Sequence, residues 1–174
     1  MPPSETAPAT TARANENRFA SLTPACLSKC EKSALVQLAL DVLSQQYRPG
    51  RSFSSPEDIQ EFLRLKLTER RNEVFGIVYM DTRHRLIEME EIFQGTVDGA
   101  AVYPRVVLQK VLEKNAAAVI FYHNHPSGIA EPSEADRGIT LKLSRALALI
   151  DVRLLDHIVV TDHSFVSLAE RGWI

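Results

Sequence analysis

Apolar and polar positions along the chain mark out alternating elements. Val74 to Met80 is an unbroken apolar run of β-branched and aromatic residues closed by Asp81-Thr82-Arg83. It predicts a buried strand turning into a second strand from about His84 to Thr96. Ala116 to Tyr122 predicts another buried strand, delivering His123 and His125 at its end. Between them Pro104 opens a helix carrying Val107, Leu108, Val111 and Leu112. Ile139, Leu143, Leu147 and Ile150 keep helical spacing over Ser133 to Ile150, and strands follow at Val152 to Thr161 and near Phe165 to Leu168. Upstream, Ser28-Lys29-Cys30-Glu31 has the form of a capping box, with Leu35, Leu38, Ala39, Val42 and Leu43 in helical register behind it, and Pro49-Gly50 stops that helix. Ser55-Pro56-Glu57-Asp58 opens the next, with Ile59, Phe62 and Leu63 facing inward. A leading hairpin followed by alternating helices and strands predicts an α/β fold, a mixed sheet with helices on its faces.

Residues 1–24 are rich in Ala, Thr, Pro and Asn without an apolar period. The expected organisation is a disordered tail over 1–25, a leading helix and linker over 26–52, and one globular domain over 53–174. At 174 residues and 45% hydrophobic, the chain suits a single domain plus a tail. A domain of about 150 residues buries roughly 70% of its unfolded surface and needs no metal or disulfide to fold, which weakens any reading of a metal here as merely a structural staple. A formal net charge of −2 without blocks of like charge argues against strong attraction to a phosphate backbone. The only cysteines, Cys26 and Cys30, read as free, mostly packed thiols. With no secretory signal pattern and no run of about 18 apolar residues, the expectation is a cytoplasmic protein without a membrane span.

Chemistry concentrates in His123-Asn124-His125-Pro126 and Ser133-Glu134-Ala135-Asp136. Side chains two apart on an extended segment share a face, so both imidazoles can turn toward one ion while Asn124 faces away and ties down the turn. Two imidazoles and a carboxylate suit zinc, and three protein ligands leave a fourth position open for chemistry. Blander accounts exist for each part. An isolated His-x-His is more often an ordinary pair, and Ser133-x-x-Asp136 ahead of an amphipathic helix is a capping box. The two roles are compatible, because a capped first turn holds Asp136 rigidly. A metal-activated water also needs a base. Glu73, at the opening of the buried strand, is a candidate alongside Glu88, Glu90 and Glu91, and position does not separate them.

Glu73 near a strand start, His123-x-His125-Pro126, then Ser133-x-x-Asp136 resembles the JAMM (MPN-plus) metalloprotease motif. Phe93-x-Gly95-Thr96, Tyr103-Pro104-Arg105, Asn115-Ala116-Ala117, His123-Asn124-His125-Pro126-Ser127-Gly128, Pro132-Ser133 and Leu155-Asp156-His157 resemble the RadC family more closely, from about Ser55 to Ile174. The resemblance implies an MPN fold over 53–174, a mixed β-sheet flanked by helices. It implies one Zn2+ held by His123, His125, Asp136 and water. It also makes Glu73 the base and Ser133 an oxyanion donor in hydrolysis of a peptide or isopeptide bond. Two departures stand out. The helix-hairpin-helix region of long RadC-like proteins is expected to be absent, and Val106 occupies a position where many relatives have Glu.

His157 reads as a hydrogen-bonded core residue or as a support behind the metal ligands, the former being the commoner case. His84 and His163 lie in expected turns and carry no assignment. The competing functions are a non-catalytic scaffold and a DNA-repair or mobile-element-associated factor acting through nucleic acid or protein, which the charge does not favour. No Pro-Cys-x-x-Cys follows the histidines, against a zinc deaminase, and no His-Glu-x-x-His is present. The substrate, an unknown protein or peptide, and the oligomeric state are not encoded in these patterns.

Overall fold

The computed structural model describes residues 21–46, 49–50, 56–67, 70–95 and 101–174. Most of the expected N-terminal tail, and Ser55 and Thr96, lie outside these. The chain divides into two compact units, one ending at Leu35 and the other running from Val36 to Ile174. In the first, a 3-10 turn at Pro24–Cys26 precedes the start of helix α1 (Lys29–Gln46). The expected capping box closes there: Ser28 N–H donates to Glu31 Oε2 (2.8 Å) and Glu31 N–H to Ser28 Oγ (3.3 Å). Cys26 and Cys30 are free, as expected, but exposed rather than packed. Along α1 the apolar residues Leu35, Leu38 and Val42 are also exposed. Leu35 to Leu43 is apolar around most of the helix circumference, which defines no single face for burial.

The second unit holds a five-stranded mixed sheet in the order β2-β1-β3-β4-β5. Its strands are β1 (Val74–Met80), β2 (Leu86–Gln94), β3 (Ala118–Asn124), β4 (Arg153–Val160) and β5 (Phe165–Ser167). The further helices are α2 (Pro56–Leu67), α3 (Pro104–Glu113) and α4 (Glu134–Ala148). β1 and β2 form the expected hairpin, β1 pairs antiparallel with β3, β3 runs parallel to β4, and β5 returns antiparallel. A parallel pair requires a crossover, and α4 supplies it.

Period-two alternation sorts the strand residues between two cores. Phe75, Ile77, Tyr79, Val119 and Phe121 pack with Val107 and Val111 of α3 and Leu143 and Leu147 of α4. Val78, Met80, Ala118, Tyr122, Ile158 and Val160 pack with Ile59, Leu63 and Leu67 of α2. All seven residues of β1 are buried, which explains its unbroken apolar run. Each fully buried aliphatic side chain, such as Leu63, contributes about 1.5–3 kcal/mol. Among the described residues no helix is long and apolar enough to cross a membrane.

Candidate metal centre

β3 begins two residues later and ends two residues later than the sequence pattern suggests. His123 is therefore not at the strand's end but within it, opposite Phe75 on β1 and Val159 on β4. Ala117 still bonds Met80 through its N–H, but outside the ladder, so the apolar run and the strand are out of step. Following Val119 and Phe121 at intervals of two, His123 projects to the α4 side and is buried. His125 is just past the strand, and its N–H donates to Val160 O (2.9 Å). It remains partly exposed.

Asp136 arrives from the first turn of α4. Ser133 caps that helix: its Oγ accepts from Asp136 N–H (3.1 Å), while Asp136 Oδ2 accepts from Ser133 N–H (2.7 Å) and Ser133 O–H (2.5 Å). The capping-box and metal-ligand readings of Asp136 thus coexist. One side of the carboxylate is fixed by the cap, and the group as a whole faces the two imidazoles.

His123 Nε2 is 3.0 Å from His125 Nε2 and 3.4 Å from Asp136 Oδ1, and His125 Nε2 is 3.6 Å from Asp136 Oδ2. A tetrahedral zinc about 2.0–2.1 Å from each donor needs its ligand atoms about 3.3–3.4 Å apart. The three separations bracket that value, so the donor set fits the ion without rearrangement of the backbone. His125 Nδ1 sits 2.8 Å from the carbonyl of Ile129, which can only accept. Nδ1 therefore carries a proton, and the ring presents its Nε2 to the cluster. Two ring nitrogens 3.0 Å apart require a proton or a cation between them.

The charges reflect this crowding. Burial pushes His123 down to about 4, against the pull of Asp136. His125 is raised, chiefly by its hydrogen bond to Asp136. Burial opposes ionisation of Asp136, but His125, His123 and Ser133 outweigh it and hold the carboxyl well below its usual range. The carboxylate is thus anionic and His123 neutral at neutral pH, the states a cation requires.

Glu73, half-buried at the mouth of β1, lines a cavity of about 210 Å³ together with His123, Asp136, His157, Phe75, Val102, Ala135 and Ile139. The other glutamates considered as bases are placed elsewhere. Glu88 pairs with Lys114 (2.8 Å), Glu90 with Lys110 (3.0 Å) and Glu91 with Arg70 (2.9 Å), all along β2. Asn124 faces away from the histidines as expected. Its Oδ1 accepts from Val74 N–H (2.8 Å) and its Nδ2 donates to Asn72 O (3.1 Å).

His157 is a hydrogen-bonded core residue, and its hydrogen bond is to one of the candidate ligands. It is fully buried with its ring edge-on to Phe75 and Phe121, and its Nε2 lies 2.8 Å from His123 Nδ1. Thr140, which the sequence did not single out, touches the other nitrogen of His157 at 2.6 Å. Its only signal was its place one helical turn after Asp136. His84 sits in the β1–β2 turn with a left-handed backbone (φ 57°), and its Nε2 lies 2.7 Å from Arg153.

A family model described as a RadC-like JAB domain matches residues 53–173. A UPF0758 protein of Vibrio cholerae serotype O1 is 53% identical over 140 residues, covering 80% of this chain and 88% of that protein. Similar proteins from Shewanella sp. strain W3-18-1 and Cellvibrio japonicus are 54% and 51% identical over 141 residues. The chain spans only 63% of the length of these two. With a mixed sheet between helices and a His-His-Asp cluster at its centre, and with relatives this close, the chain belongs to the RadC family and carries a JAB-type domain.

Proposed function

We propose that the chain is a zinc-dependent hydrolase of the JAMM type that cleaves a peptide or isopeptide bond in a protein or peptide substrate. The observation that carries this reading is the donor spacing of 3.0, 3.4 and 3.6 Å, beside a cavity that Glu73 also lines. His123, His125 and Asp136 would hold the zinc, which when bound would supply Lewis acidity and acidify a water to a pKa of about 7. Glu73 holds and moves the proton: its carboxylate takes it from the attacking water and delivers it to the departing amine nitrogen. Phe75, Val102 and Ile139 give the cavity an apolar wall that excludes bulk water from an inserted chain and strengthens the electrostatics inside. Ser133 first orients Asp136, since its hydroxyl is directed at Oδ2. Turned toward the substrate, that hydroxyl adds an oxyanion donor, worth roughly 3 kcal/mol.

The test has two stages. Protein purified without added metal and then titrated with zinc should take up close to one ion per chain. The loaded protein should cleave members of a peptide and isopeptide library that Glu73→Gln leaves intact. No zinc uptake, or equal cleavage by the variant, ends the reading.

A further inference from the structure

His157 has no step in the proposed hydrolysis, yet it is fully buried behind a ligand and hydrogen-bonded at both ring nitrogens. A continuous file of contacts runs from His123 Nδ1 to His157 Nε2 (2.8 Å), from His157 Nδ1 to Thr140 Oγ1 (2.6 Å), and from Thr140 Oγ1 to the backbone oxygen of Asp136 (2.5 Å). Only one end of this file has a fixed polarity. A backbone carbonyl accepts and never donates, so the single hydroxyl proton of Thr140 points at Asp136 O. Thr140 Oγ1 must then accept from His157, which puts a proton on His157 Nδ1. The neutral ring of His157 is left with a bare Nε2, and this accepts from His123 Nδ1–H. The remaining nitrogen of His123, Nε2, is therefore the lone pair, aimed at His125 and Asp136.

The reverse order is worse at both ends. It would set two oxygen lone pairs 2.5 Å apart at Thr140 and Asp136. It would also place a proton on His123 Nε2, where a cation must sit. Phe75 and Phe121, edge-on to His157 at 5.6 and 5.9 Å between centroids, present no polar group to which its ring could turn.

We propose that Thr140 and His157 are positioning residues that lock His123 in the tautomer whose Nε2 lone pair faces the His125–Asp136 cluster. Because Thr140 binds the carbonyl of Asp136 itself, the file also ties the buried ligand to the helix turn that supplies the third donor. The purpose of the lock rests on the metal reading given above, but the tautomer is readable without any metal.

Long-range 1H–15N correlation spectra of the metal-free protein at neutral pH should show protonated Nδ1 and bare Nε2 on both His123 and His157. Zinc affinity, measured by competition with a chromophoric chelator, should fall about tenfold or more in Thr140→Val. Thr140→Ser, which keeps the hydroxyl, should stay within about twofold of wild type. His157→Gln, whose amide oxygen can accept from His123, should bind more tightly than His157→Phe. Reversed tautomers on either histidine, or unchanged affinity in both Thr140→Val and His157→Phe, overturn the proposal. A wild-type protein with the assigned tautomers but no zinc uptake sustains the lock and removes the metal reading instead.

Discussion

Asn124 grips the backbone on both sides of Glu73. It accepts from the N–H of Val74 and donates to the carbonyl of Asn72, at 2.8 and 3.1 Å. The residue between the two metal-ligand candidates therefore sets the backbone from which the candidate base projects. Asn124→Asp keeps the acceptor for Val74 but sets a carboxylate oxygen against the Asn72 carbonyl. The expected result is a kcat at least about tenfold lower, with zinc stoichiometry intact and about 1–3 kcal/mol of stability lost. Loss of zinc with normal kcat per bound ion would instead mean that Asn124 acts on the histidines.

Glu73→Gln removes a proton acceptor while keeping size and position. Turnover should fall about 10²–10⁴-fold, and zinc affinity should be little changed. Chelator competition and single-turnover cleavage on the same preparation separate the two effects. A parallel loss of zinc would make Glu73 a ligand rather than a base.

The metal-free protein should lose stability as pH falls from about 6.5 toward 4. Burial holds His123 at about 4 and lowers His157 well below its ordinary value. Over that window the unfolded chain takes up protons that the folded chain refuses, which favours unfolding by up to about 1.4 kcal/mol per pH unit for each histidine. His125 acts oppositely. Its raised pKa adds stability that is full below about 6.5 and is lost as pH rises through the folded value. Urea midpoints from pH 4 to 8 should show the net slope, and His157→Gln should flatten it. A flat wild-type profile would contradict the neutral buried pair.

Tyr122 offers a test of packing away from the cluster. Its hydroxyl is buried with no hydrogen-bond partner among the described residues. Tyr122→Phe should therefore be neutral or stabilise by about 1 kcal/mol in denaturant unfolding. Gly76 lies directly opposite Tyr122 across the β1–β3 ladder, and a Cβ at Gly76 would collide with the phenol ring. Gly76→Ala should cost about 1–3 kcal/mol or more, and a tolerated alanine would show that the ring can move aside.

What the sequence made legible was local. The β1 run, the helix periods, the two capping boxes and the His-x-His spacing all act within a few residues, where side-chain period and chain direction decide the geometry. The strand start at Ala118 was missed because Ala116 and Ala117 are as apolar as the strand proper. The choice among Glu73, Glu88, Glu90 and Glu91 is open in the sequence because a carboxylate beside a strand or within one carries no mark of what it faces. Pairing sets the last three against Arg70, Lys110 and Lys114, while Glu73 lines the cavity beside His123 and Asp136. His157 was ambiguous for a similar reason. Its bond to His123 spans 34 positions and depends on the parallel register that sets Phe121 beside His157.

The parallel crossover from β3 through α4 to β4 has a consequence for assembly and descent. His123, His125, Asp136, Thr140 and His157 all belong to this one uninterrupted strand–helix–strand stretch, whereas Glu73 comes from a hairpin earlier in the chain. On the proposed reading, every donor to the ion thus comes from a single supersecondary unit, and the base from another. Lineages could likewise discard the carboxylate on the hairpin and still inherit all three donor side chains.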